Sequence, residues 1–191
     1  MLQKRLVPYI KRANELENDN PIVAFYCRLF VVEELMKARA SGDTSGDAEL
    51  MDLLDKAEEA KPNLERILAE EESSTYYSQP TSLLSSKGPG KFVAFVKEFL
   101  TEVQREEVSG DELATRYYFG LLYVQVMTQF GPLTSEFQSF KARCQQRIME
   151  IRKGVTISPA RQLCIEALTA IDCGNMPKAK QLLIAAAEAI V

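Results

Sequence analysis

Residues 20–37, NPIVAFYCRLFVVEELMK, open like a helix and then leave almost no polar face. A surface helix of a soluble protein normally shows an apolar stripe backed by charge, whereas a helix apolar nearly all round is buried between neighbours. The chain must therefore supply other helices to cover this one. Such helices are readily found. Asn20 and Pro21 have the cap and first-position identities of a helix start, and Ser158–Pro159 repeats the signal. Ser109 with Glu112, and Ser135 with Gln138, have capping-box spacing, and Asn175 can cap a last helix that tolerates Pro177 in its first turn. Phe92, Phe95, Val96, Phe99, Leu100 and Val103 form one helical stripe, and Phe137, Phe140, Cys144, Ile148 and Ile151 another. No alternating strand pattern of useful length occurs, so the fold class is all-α.

The spacing predicts helices over 2–17, 21–39, 46–60, 62–72, 91–107, 111–130, 134–153, 159–172 and 176–190, with Pro62 breaking or kinking the third segment. Serine, glycine and proline dominate residues 73–90, which read as a linker, with a phosphorylated or mobile recognition loop as the alternative. The expected organisation is a three-helix bundle over 1–72, the linker 73–90, a second three-helix bundle over 91–153, and a helical hairpin over 158–191. In each half the middle helix, 21–39 or 111–130, is the most apolar, as an antiparallel bundle requires. Ile22, Phe25, Tyr26, Leu29, Phe30, Val32 and Met36 are expected to fill the first core, each contributing about 1.5–3 kcal/mol when buried.

Composition narrows the function. The chain has no histidine, the usual neutral-pH base and the commonest metal ligand. Cys27, Cys144, Cys164 and Cys173 are far apart and sit on apolar helical positions, as small hydrophobes do. KGPGK at 87–91 lacks the spacing and the preceding strand of a phosphate loop. No catalytic residue, metal site or cofactor is expected, and the protein reads as a non-enzyme. A net charge of −4 argues against a nucleic-acid partner. The basic N-terminus lacks the apolar core of a secretory signal, and no segment has the roughly 18 apolar residues of a membrane span. A soluble, cytoplasmic protein is expected.

DNPIVAFYCRLFVVEELMK, residues 19–37, resembles the second helix of a vacuolar-sorting AAA-ATPase cofactor family, that of LYST-interacting protein five and its yeast Vta-type counterpart. Residues 121–154, LLYVQVMTQFGPLTSEFQSFKARCQQRIMEIRKG, resemble the end of that family's second bundle, where a helix closes on a Phe-Gly-(Glu/Pro)-Leu turn before a basic helix. Residues 158–191 resemble its C-terminal hairpin through the frame Ala167, Leu168, Ala170, Ile171, Asp172, Ala179, Leu183 and Ala187. The resemblance implies tandem microtubule-interacting-and-trafficking (MIT) domains that bind C-terminal tail helices of ESCRT-III subunits. It also implies a hairpin that dimerises and activates the AAA ATPase that disassembles ESCRT-III, with recruitment to endosomal membranes and at most peripheral membrane association. The chain departs from the family in joining bundles to hairpin through 154–157 alone, and in having Ile165 and Cys173 where the ATPase-contacting residues are usually basic or aromatic.

A tail helix would lay its apolar stripe between two helices of a bundle with charges at the rim. The implied groove lies between helices 21–39 and 46–60. Its floor is Leu29, Val32, Met36, Leu50, Leu53 and Leu54, and its rim Asp52, Asp55 and Glu59. Residues 43–72 hold eleven acidic against three basic residues, complementary to tails that carry Arg and Lys beside leucines, although a solvated helix face has the same look. In the second bundle Tyr117 and Tyr118 point about a hundred degrees apart, so one of them is expected at a surface groove. Leu168, Ile171 and Leu183 are the expected dimer or ATPase contacts. Lys141, Arg143, Arg147, Arg152, Lys153 and Arg161 make the following helix basic, suited to orienting an acidic partner or anionic membrane. A tetratricopeptide-like scaffold for protein–protein interaction is the competing reading, but no 34-residue period runs through the chain.

Overall fold

The structure, a computed structural model, describes residues 2–70, 82–153, 159–172 and 174–188. Eight α-helices account for nearly all of them: α1 (Leu2–Leu16), α2 (Pro21–Ala40), α3 (Asp47–Glu70), α4 (Leu83–Gln104), α5 (Gly110–Val126), α6 (Ser135–Arg152), α7 (Pro159–Asp172) and α8 (Met176–Glu188). A 3-10 turn, Met127–Phe130, extends α5. The chain divides into two compact units, Met1–Ile148 and Met149–Val191.

In the first unit α2 packs between α1 and α3, and it also packs against α4 and α5. That fourfold cover explains why it needs so little polar surface. Val23, Ala24, Phe25, Tyr26, Cys27, Phe30, Val31, Val32 and Leu35 are all buried on it. Helices α1–α5 and α6 as far as Ile148 lie together in one compact unit. Aromatic residues fill the seam. The Tyr26 ring stands edge-on to Phe92 and Phe130 at 5.8 and 4.9 Å, and its hydroxyl donates to the Leu84 carbonyl at 2.7 Å. A Cβ on Gly88 would collide with that hydroxyl, so glycine is what admits Tyr26 to α4. From α1, the Arg12 guanidinium lies 4.4 Å over the Phe119 ring and donates from Nε to the Tyr123 hydroxyl.

Around α5 the second three helices close tightly. A Cβ on Gly120 would come within 3.2 Å of Leu100 on α4 and 3.6 Å of Phe140 on α6. Glu106, between α4 and α5, accepts from Arg147 Nε and Nη2 on α6, both at 2.8 Å, and from the Tyr117 hydroxyl at 2.8 Å.

Pro62, expected to break or kink the third segment, is carried inside a helix. Pro62 lies within α3, which runs unbroken to Glu70. Pro62 is exposed, so the carbonyl left without its amide partner can turn to water. Likewise α4 starts at Leu83 and carries Pro89, so residues 83–90 of the expected linker are helical. The start is held from α3: Glu65 accepts from the Leu83 and Leu84 amides at 2.9 and 3.2 Å and from the Ser82 hydroxyl. An acid at a helix N-terminus satisfies otherwise orphaned amides and complements the helix dipole. The expected caps differ in detail. Asn20 and Ser109 precede their helices without side-chain cap bonds, and Gln138 reaches the Leu133 carbonyl instead of closing a box on Ser135. Asn175 does cap α8, accepting from the Lys178 amide at 3.1 Å. Residues 73–81 of the expected linker, the connection 154–157, and Cys173 lie outside the described residues.

The second unit is built differently. Helices α7 and α8 pack on each other through Ala167, Ala170, Ala179 and Ala186, all buried. Small residues let two backbones approach closely but bury little apolar area.

Candidate functional site

Helices α2 and α3 are joined by residues 41–46, and the Arg39–Asp47 ion pair at 3.6 Å bridges the two ends. A link this short sets helices antiparallel, so the C-terminal end of α2 lies beside the N-terminal end of α3. The link forms because Ser41 turns its amide and hydroxyl back onto the last α2 carbonyls, its hydroxyl donating to Ala38 at 2.8 Å. Lys37 and Arg39 sit in the last turn of α2 and Asp47 and Glu49 in the first turn of α3, each sign matching the dipole it faces.

The expected groove residues divide into two layers. Val32, Leu50 and Leu53 are buried; they hold α2 to α3, and their assignment to a ligand-contacting floor is corrected. Leu29 and Leu54 are half-buried, and Met36 is 54 % exposed. Leu29 and Met36 are seven residues apart, two helical turns, and so share one face of α2. The sequence reading missed Met51, which is 55 % exposed one turn before Leu54. Its signal was present, since 51 and 54 are three apart on a helix, but the core period through Leu50, Leu53 and Ala57 masked it. Asp52, Asp55 and Glu59 are all exposed. Asp52 pairs with Lys56 at 2.8 Å on its own helix, a surface pair worth a few tenths of a kcal/mol. The rim is thus acidic and solvated, and its charges are available to a partner.

The two tyrosines of α5 also separate. Tyr117 is 5 % exposed and donates to Glu106, so of the two it is not the one at the surface and is not available as a partner contact. Burial, reinforced by the Glu106 carboxylate, pushes its phenol well above the ordinary tyrosine range. Tyr118 is exposed beside Phe119. On α6 the basic run is not uniform: Arg147 is buried against Glu106, while Lys141 reaches Gln125 and only part of the series faces water.

On the hairpin, Leu168 and Leu183 are 50 % and 48 % exposed, and Ile171, Met176 and Ile184 are exposed as well. Leu168 lies one residue beyond buried Ala167, and Ile171 one beyond Ala170, so α7 turns its small residues inward and its large ones outward. These exposed apolar side chains are gathered on a small unit, the kind of surface at which interaction sites are found. Among the described residues no helix is long and apolar enough to cross a membrane.

The chain is 24 % identical over 156 residues to the Arabidopsis thaliana protein "homolog of mammalian LYST-interacting protein 5", covering 80 % of this chain and 33 % of that protein. It is 23 % identical over 163 residues to a vacuolar protein sorting-associated protein VTA1 homolog of Dictyostelium discoideum, covering 82 % of this chain and 28 % of the relative. The chain thus spans about a third of the length of these relatives. The sequence pattern of the Vta1-like family matches residues 5–156, nearly all of the aromatic-cored unit, and the chain belongs to that family.

Proposed function

We propose that this chain is a non-enzymatic adaptor of the ESCRT multivesicular-body pathway that binds C-terminal tail helices of ESCRT-III subunits along α2 and α3. The observation that carries the reading is the partly open strip of Leu29, Met36, Met51 and Leu54 beside the acidic, solvated residues of α3. An amphipathic helix with leucines on one face and Arg or Lys at its margins matches such a strip in both shape and sign. The names of its relatives, which speak of vacuolar protein sorting and a LYST-interacting protein, support the same pathway over a generic tetratricopeptide-like scaffold. Through the exposed face of α7 and α8 the chain pairs with a second copy, and it regulates the AAA ATPase that disassembles ESCRT-III. It works in the cytoplasm and is recruited to endosomal membranes through its partners.

Anisotropy titration of fluorescent ESCRT-III tail peptides tests the binding step. Met36→Asp should weaken binding at least tenfold, about 1.4 kcal/mol, with little change in thermal stability because the side chain is already exposed. Asp55→Lys should weaken it several-fold, and more so at low salt. No saturable binding of any tail at high micromolar concentration removes the reading.

A further inference from the structure

On a different side of α2, a cavity of about 260 Å³ opens between α2 and α3 and reaches the α1–α2 turn. Its walls include Ala24 and Arg28 of α2, Lys56, Glu59 and Asn63 of α3, and Glu17 of the turn. Arg28 is only 3 % exposed. Its Nη2 donates to Asn14 Oδ1 at 3.2 Å and forms an ion pair with Glu17 Oε2 at 2.9 Å. Its Nε is buried and has no hydrogen-bond partner among the described residues.

A guanidinium presents Nε–H and one Nη–H as a fork that matches the two oxygens of a carboxylate. Here one tooth is taken by a single oxygen of Glu17, a side chain that is 56 % exposed, and the other is empty. Leaving a buried charged donor unsatisfied is costly, whereas exchanging one carboxylate for a better-seated one is not. The cavity has room for the exchange: a water takes about 30 Å³, and a carboxylate needs only a small multiple of that.

We propose that this cleft is a subsite for a peptide carboxylate, with Arg28 as its anchor and Glu17 as an internal stand-in that the incoming group displaces. Lys56, paired with Asp52 in the free chain, also lines the cleft, and Glu59 favours a ligand carrying a basic residue next to its acid. The site does not use the Leu29–Met36 strip, so it stands whether or not tail helices bind there.

The test follows the Arg28 Nε–H resonance of the whole chain by ¹⁵N-edited NMR. The probes are a doubly capped tripeptide with a central glutamate and an N-acetylated triglycine with a free C-terminus. Sodium chloride at matched ionic strength is the control. One peptide should move the Arg28 Nε–H and the Ala24 amide saturably, and the tighter of the two names the carboxylate's source, side chain or chain end. Glu17→Gln, which removes the internal competitor, should tighten binding about tenfold. Arg28→Lys, which keeps the charge and loses the fork, should abolish saturation while the spectrum stays folded. Shifts reproduced by chloride, or no saturation in either the unsubstituted chain or Glu17→Gln, overturn the proposal. Saturation that Glu17→Gln leaves unchanged overturns the displacement of Glu17.

Discussion

The unit of residues 1–148 and the α7–α8 hairpin solve the burial problem in opposite ways. The first encloses Tyr26, Phe92, Tyr123, Phe137 and Phe140 and leaves a few methionines and leucines outside. The second encloses alanines and leaves leucines and isoleucines outside. A large aromatic interior gives a body that is complete by itself. An alanine seam between two short helices removes too little apolar surface from water to offset chain entropy unaided. The difference bears on the proposed partners: one at the edge of α2 and α3 would be an accessory to a finished fold, whereas one on the hairpin would supply a missing part of its core.

The sharpest way to break the contrast is to damage the seam shared by the two halves of the larger unit. Phe92→Ala removes a fully buried ring that touches Tyr26, Tyr123 and Phe130 and should cost about 3–5 kcal/mol. Denaturation followed by circular dichroism should show residues 1–148 melting in one transition at lower denaturant. Two separated transitions would mean the halves fold independently. Next in size is Glu106→Gln, which strands Arg147 and weakens its bond to Tyr117. The expected loss is about 3 kcal/mol in the same assay, since removing one member of a buried pair leaves the other uncompensated. Gly88→Ala should cost about 1–3 kcal/mol by displacing the Tyr26 hydroxyl from Leu84.

Alkali should probe the same seam more gently. Burial holds the phenols of Tyr26 and Tyr123 up to about 12, against about 10 in an unfolded chain. Between those values the folded state keeps protons that the unfolded state has released, so stability present below about pH 10 is lost as pH rises toward 12. Urea midpoints at pH 8, 10 and 11 should fall in that order, and a flat profile would mean that these phenols are open to water in solution.

The sequence made some of this legible and hid the rest for physical reasons. The all-round apolarity of α2 required several neighbours, and the periodicity of α4, α5 and α6 supplied their identity as helices. It could not reveal that Tyr26 meets Phe92 and Phe130, because those contacts join residues far apart in the chain and leave no local pattern. The serine-rich start of α4 read as linker since its helix is held by a tertiary partner, Glu65, and by burial of Leu84 and Gly88. At the groove, periodicity located the α2–α3 faces yet could not separate Val32 and Leu50, which clamp the helices, from Leu29 and Met36, which line the surface. Tyr117 and Tyr118 posed the same difficulty: their angular separation was readable, but not which of them had Glu106 waiting inside.

Sedimentation equilibrium of the intact chain bears most directly on the contrast between a finished body and an unfinished hairpin. The chain should sediment at twice its 21.5 kDa mass and, with Leu168→Asp, at that mass once, without loss of helix signal from the larger unit. An intact chain that sediments at 21.5 kDa while its hairpin remains helical would contradict the idea that α7 and α8 complete their core on a second copy.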